Sequence, residues 1–391
     1  MRCIEDLRAS NDSDNLEGGR IMREKIRQDY DKGSTRTTSQ DLESVARALV
    51  AAGKGILAAD ETVGTLTKRF DTLGILSTEQ SRRTYREMLF TSPGVSEFIS
   101  GVIMQDETIR QKSSRGATLI ELQIAEGIIP GIKVDTGAKP FAGSPGETVT
   151  EGLDGLRDRL AEYHAMGARF AKWRAVIRIT DTLPSLACVS ANAHALARYA
   201  ALCQEQGVVP IVEPEVLMDG SHTIERCEQV SGDVLHAVFH ALFDQGVALE
   251  GMLLKPNMIL AGKECTRQAS VDEVASATLR CLRRHVPAAV PGIVFLSGGQ
   301  NARLATTHLN AINQMPGSKP WQITFSYGRA LQDPALDAWR GRDENLSAGQ
   351  RALYLRATSN RAASLGEYTD EMEDASTGND DPMHRREWRD D

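Results

Sequence analysis

Eight short apolar runs in this chain are each closed by a polar or charged residue. They are GILAAD (55–60), SGVIMQD (100–106), IPGIKVD (129–135), ARFAKWR (168–174), VPIVEPE (209–215), GMLLKPN (251–257), GIVFLSG (292–298) and ITFSYGR (323–329). The closing groups are Asp60, Asp106, Lys133 with Asp135, Lys172 with Arg174, Glu213 with Glu215, Lys255, Ser297 with Gly298 and Gly299, and Ser326 with Gly328 and Arg329. A charge inside an apolar strand is costly unless it is paired or functional. Lys255 is the sharpest case, because Met252, Leu253 and Leu254 precede it and Pro256 follows. A buried lysine beside a second cation sheds its proton more readily, and the neutral amine attacks carbonyl carbons. Lys172, two runs earlier, is the natural second cation. A structural ion pair of Lys255 with Glu215 or Glu213 is the competing reading, and the local sequence does not separate the two.

These groups need a scaffold that brings all eight run ends together. The runs start 45, 29, 39, 41, 42, 41 and 31 residues apart. Helix-like stretches lie between them, such as 78–90 (TEQSRRTYREMLF) and 192–207 (NAHALARYAALCQEQG), with Gly207 at the expected C-terminal cap. Eight strand–helix alternations of this length predict an α/β fold, a single (β/α)8 barrel over 36–366. Its strands are buried on both faces, and its active site lies at their C-terminal ends. A doubly wound open sheet is the rival, but it would usually carry a glycine-rich turn after its first strand, and here DETVGTLTKR follows. Residues 37–52 predict an amphipathic helix before the first strand, with Leu42, Val45, Ala46 and Leu49 on one face.

Charge and composition set further bounds. The chain has 391 residues, 45 Lys and Arg against 53 Asp and Glu, and a net charge of −8. That balance argues against a nucleic-acid partner. Residues 367–391 hold ten acids and three arginines, and residues 1–35 hold eight acids and seven bases, so the stretch between is neutral. The ends read as a flexible N-terminal extension (1–35) and a solvated acidic tail (367–391). Met22 is an alternative start. Six widely spaced cysteines without a C-x-x-C pair read as reduced thiols of a cytoplasmic protein. No apolar run has the length of a membrane span, so no membrane partner is expected. His236 and His240 stand four residues apart but lack an accompanying carboxylate–histidine pattern, so no metal site is expected.

The motifs GKGILAADE (53–61), GIKVDTG (131–137), FAKWR (170–174), VPIVEPE (209–215), LEGMLLKPNM (249–258), FLSGGQ (295–300) and TFSYGRALQ (324–332) closely resemble those of class I fructose-1,6-bisphosphate aldolases. The similarity runs from about residue 40 to Tyr368, in matching order. It implies a (β/α)8 barrel, usually a homotetramer, that cleaves fructose 1,6-bisphosphate reversibly without a metal or other cofactor. By position, the resemblance implies that Lys255 is the Schiff-base lysine and Glu213 the main general acid/base. It implies that Asp60 takes the C4-hydroxyl proton, that Lys172 assists, and that Glu215 orients the charged network. Glycines let backbone N–H groups approach phosphate oxygens, and Arg offers a planar fork. One phosphate site is therefore expected from Ser297, Gly298, Gly299, Ser326, Gly328 and Arg329. The second draws on Lys133, Arg174, Thr65, Lys68 and Arg69.

The chain departs from the pattern in two places. Thr62 and Thr65 stand where the family has serines, which keeps the hydroxyls. Animal and plant members end in a tyrosine that reaches the active site, whereas this chain ends in REWRDD. Removal of 370–391 is therefore expected to cost much less activity than loss of a terminal tyrosine would. Two other readings remain: a Schiff-base aldolase preferring another phosphosugar such as sedoheptulose 1,7-bisphosphate, and an inert barrel scaffold.

Overall fold

The computed structural model describes Ser39 to Asp374. Eight parallel strands close into a barrel: β1 (Gly55–Ala58), β2 (Ile99–Met104), β3 (Ile129–Lys133), β4 (Phe170–Ile177), β5 (Val209–Val216), β6 (Leu253–Leu254), β7 (Gly292–Phe295) and β8 (Gln322–Tyr327). Each strand pairs with its successor and β8 returns to β1. Every expected run supplies one strand, and β1, β2, β5 and β7 are buried along their whole length.

Polar caps start the outer helices sharply. Thr78, Ser185, Thr223, Ser270 and Asn301 each accept a hydrogen bond from the backbone N–H three residues on. The Ser185 cap is why the helix expected at 192–207 begins earlier, at Leu186, and runs to Glu205. Gly207 follows it in the left-handed region at φ 70°.

The barrel has two apolar layers. Outward-facing strand residues pack against the helix ring. Inward-facing Ile56, Ile103, Phe170, Val209, Ile211, Leu253 and Val294 meet Leu42, Ala46 and Leu49 of the first helix, Ser39–Leu49, and Val50 just after it. That helix plugs the N-terminal mouth. The strands make room for it with glycine: a Cβ on Gly101 would sit 2.7 Å from Leu49, and one on Gly292 would sit 2.5 Å from Val50. With the lower mouth filled by hydrocarbon, the polar groups collect at the other end.

Several features escaped the pattern of alternating runs. An antiparallel hairpin, Gly137–Pro140 with Thr148–Glu151, interrupts the β3–β4 connection. Asp106 was expected at the active end of β2, but it opens the short helix Asp106–Arg110 instead. There it pairs with Arg110 at 3.0 Å and accepts the Tyr163 hydroxyl at 2.9 Å. The acidic stretch from residue 367 does not start as a solvated tail. Tyr368 is buried, and Glu373 takes Nη1 of the buried Arg356 at 2.5 and 2.6 Å. Residues 1–35, the alternative start at Met22 and the remainder of the tail lie outside the described residues. The five described cysteines are free thiols, and all but Cys265 are buried. Among the described residues no helix is long and apolar enough to cross a membrane.

Candidate active site

The C-terminal ends of the strands surround a cavity of about 770 Å³. Its lining includes Asp60, Thr65, Arg69, Lys133, Lys172, Arg174, Glu213, Glu215, Lys255, Ser297, Gly298, Ser326, Gly328 and Arg329, together with Lys68. Of the expected residues, Asp106, Asp135 and Gly299 do not line it.

Strand register explains the convergence. In the parallel ladder Lys133 lies opposite Lys172, Arg174 opposite Glu213, and Val176 opposite Glu215. Alternate residues face the interior, so Lys172 and Arg174 share a face of β4, and Glu213 and Glu215 share a face of β5. Lys255 continues the ladder past β6, its N–H bonded to the Val212 carbonyl at 2.8 Å.

At the floor, Lys172 Nζ is 2.6 Å from Asp60 Oδ2 and 3.3 Å from Glu213 Oε2. Lys255 Nζ is 3.3 Å from Glu213 Oε1. The side chains of Lys172, Lys255 and Glu213 are each only 4% exposed. Burial alone would raise the Asp60 pKa, but Lys172, Lys255 and Lys133 outweigh it and hold the carboxyl well below its usual range. Burial likewise disfavours charge on Lys172, yet Asp60, Glu213 and Asp135 keep it firmly protonated. The Lys172–Glu213 contact lacks hydrogen-bond geometry, so Glu213 Oε2 is a buried carboxylate oxygen without a hydrogen-bond partner among the described residues. Such an oxygen can accept or deliver a proton at a neighbouring atom.

One wall is suited to an anion. Gly298 has φ 61°, and Gly328 precedes the helix Arg329–Trp339, whose N-terminus has no side-chain cap. Uncapped helix N–H groups favour negative charge. Ser326 Oγ is buried without a hydrogen-bond partner among the described residues, which leaves a donor for a ligand oxygen. Gly299 sits behind this wall. A Cβ there would lie 3.2 Å from Arg329 Nη2 and 3.1 Å from Lys263 Nζ.

The opposite wall, on β3 and β4, holds Lys133 and Arg174, while Arg69 comes from the helix after β1, beside β8. Lys133 pairs with Asp135 at 2.7 Å, and Arg174 pairs with Glu215. Thr62 caps the helix Val63–Asp71, and its hydroxyl lies 3.0 Å from that of Thr65. Arg69 is held by Glu61 and by Asp333, the latter at 2.7 Å. Glu61 also takes Arg86 at 2.7 Å and the Gln332 amide at 2.8 Å. Burial would raise the Glu61 pKa, but Arg86 and Arg69 outweigh it and lower it. Reading only strand ends missed this anchoring of Arg69, although Glu61 and Gln332 both lie within the quoted motifs GKGILAADE and TFSYGRALQ. His236 and His240 are remote from the cavity. They line a groove between the helices Leu186–Glu205 and Ile224–Asp244.

A closed (β/α)8 barrel with lysines and carboxylates sharing one polar cavity at its C-terminal mouth has the architecture of a barrel enzyme. The family model described as "Glycolytic: Fructose-bisphosphate aldolase class-I" matches residues 41–387, well beyond Tyr368. A "Probable fructose-bisphosphate aldolase class 1" of Xanthomonas axonopodis pv. citri is 56% identical over 84% of this chain and 98% of its own length. The cytosolic fructose-bisphosphate aldolase 4 of Arabidopsis thaliana is 50% identical over 86% of each chain. Among solved structures, Plasmodium falciparum fructose-bisphosphate aldolase, in a ternary complex with TRAP and a small-molecule inhibitor, aligns with a TM-score of 0.84 at 47% identity. That alignment covers 86% of this chain and 98% of the other. The chain belongs to the class I fructose-bisphosphate aldolase family.

Proposed function

We propose that the protein cleaves fructose 1,6-bisphosphate reversibly to dihydroxyacetone phosphate and glyceraldehyde 3-phosphate through a Schiff base on Lys255. The observation that carries this reading is the buried Lys172–Glu213–Lys255 array at the floor of the cavity.

Glu213 accepts a proton from Lys255, and the neutral amine attacks the C2 carbonyl of the substrate. Glu213 returns the proton to the carbinolamine hydroxyl, which leaves as water. The resulting iminium is an electron sink. Asp60, held as a carboxylate by Lys172, takes the C4-hydroxyl proton as the C3–C4 bond breaks. The C4 oxygen becomes the aldehyde of glyceraldehyde 3-phosphate, and the bond electrons pass to the iminium nitrogen as an enamine. Protonation at C3 and hydrolysis release dihydroxyacetone phosphate. Lys172 hydrogen-bonds the intermediates, and Glu215 fixes Arg174. Ser297, Gly298, Ser326, Gly328 and Arg329 bind one phosphate. Lys133, Arg174, Arg69 and Thr65 bind the other. No metal takes part.

Borohydride reduction with dihydroxyacetone phosphate, followed by peptide mapping, tests the mechanism. A stable adduct on the Lys255 peptide is the expected result. No adduct, or activity abolished by EDTA, would refute it. On its family membership and its cytosolic plant relative, we read the protein as a cytosolic homotetramer, which sedimentation analysis and cell fractionation test.

A further inference from the structure

The turn at Gly298–Gly299 has two cations beside it. Arg329 lines the cavity, and Lys263 comes from the loop after β6. A Cβ on Gly299 would meet Lys263 Nζ at 3.1 Å and Arg329 Nη2 at 3.2 Å, so both cations lie on the same side of that backbone. Like charges this close repel unless an anion sits with them. Among the described residues Lys263 has one acidic partner, Asp219 at 3.0 Å, whose side chain is 56% exposed.

The position of Lys263 is built rather than incidental. Its own N–H bonds the Met218 carbonyl at 2.8 Å, Gly262 N–H bonds His222 at 2.8 Å, and Glu264 N–H bonds Gly220 at 3.0 Å. The two loops touch so closely that a Cβ on Gly262 would fall 2.1 Å from the Gly220 carbonyl oxygen. The loop after β5 therefore pins the loop after β6, which aims Lys263 at the turn after β7.

We infer that Lys263 is a substrate-binding residue, the second cation of the phosphate site formed by Ser297, Gly298, Ser326 and Arg329, with Asp219 as its counterweight. The ligand is a phosphate monoester dianion. This rests on the aldolase reading for its biological substrate, but the anion site itself can be measured without it.

The test uses the full chain and inorganic phosphate, followed by titration and as a competitive inhibitor, with kcat and KM for fructose 1,6-bisphosphate. Lys263→Met should weaken phosphate binding and raise KM by about three- to tenfold, with kcat within about twofold, since it removes a partly solvated charge. Asp219→Asn should do the opposite and tighten phosphate binding. A loop-stability role would make both variants worse, so movement in the same direction overturns the inference, as does unchanged phosphate affinity in Lys263→Met. Both effects should shrink in high salt. If borohydride traps no adduct on the wild-type chain, the aldolase reading fails, and phosphate binding still decides the role of Lys263.

Discussion

Lys172 on β4 and Lys255 just past the end of β6 come from strands that are not neighbours, yet each lies 3.3 Å from an oxygen of the same carboxylate, Glu213. They differ in their other partners. Lys172 also holds Asp60 at 2.6 Å and is firmly protonated. Asp60 and Lys172 are thus a fixed ion pair, and Lys255 is joined to it through Glu213.

The two lysines should therefore fail differently. Lys255→Met removes the nucleophile, so borohydride trapping disappears and kcat falls by about a thousandfold or more. Lys172→Met leaves Asp60 a buried carboxylate without its paired cation and Glu213 with Lys255 alone. Loss of one partner of a buried pair costs about 3–5 kcal/mol, so this variant should also have a lower urea midpoint. Trapping should persist in it at a reduced rate. Equal stability for Lys172→Met and wild type would show that solvent screens the array.

Arg69 depends on residues away from the strand ends. Glu61 fastens it together with Arg86, whose side chain is only 2% exposed, and Gln332. Glu61→Gln should destabilise the fold by about 3 kcal/mol, because Arg86 loses its carboxylate. It should also raise KM for the bisphosphate several-fold, with kcat changed by less than about threefold, as Arg69 loses its orientation. Urea melts and steady-state kinetics check both. An unchanged KM would mean that Asp333 alone orients Arg69.

Strand placement was legible because barrel strands carry two independent marks, an apolar run and a polar residue at its end. Lys133, Lys172, Glu213 and Lys255 could be read as neighbours since register in a closed parallel sheet follows the strand ends. Asp106 bore the same marks and misled, because β2 stops at Met104 and Gln105 caps a new helix that turns the carboxylate outward. Glu61 and Lys263 lie on loops, where no period dictates direction. Their roles depend on contacts with Arg86 and Gly299, each distant in sequence.

The C-terminal stretch divides at the Arg356–Glu373 pair. Truncation at residue 370 strands Arg356, which is 6% exposed, without the carboxylate that takes it at 2.5 and 2.6 Å. Removal of 370–391 should therefore lower the melting temperature by several degrees, while removal of 375–391 should leave it nearly unchanged. Bisphosphate cleavage at a temperature where both are folded should fall by much less than a hundredfold in either. A hundredfold loss in the shorter deletion would give the removed segment a catalytic task.

Acid should loosen the phosphate turn through His308, which packs behind it. Gln300 donates to the Ser297 carbonyl at 3.1 Å and turns its Oε1 to His308 Nδ1 at 2.6 Å, which calls for the neutral tautomer with Nδ1 protonated. Burial pushes the His308 pKa down from 6.5 to about 4. Above pH 6.5 the ring is neutral in both folded and unfolded chains and contributes no pH dependence. Between 6.5 and about 4 the unfolded chain binds a proton that the folded chain refuses, so stability falls as pH falls. Below about 4 both states are protonated and the slope from this residue ends. The whole loss is on the order of 3 kcal/mol. Urea midpoints should drop over this window in the wild type, and His308→Asn, which keeps an amide donor but cannot protonate, should flatten that portion of the profile. The same slope in both proteins would assign the acid sensitivity to carboxylates instead.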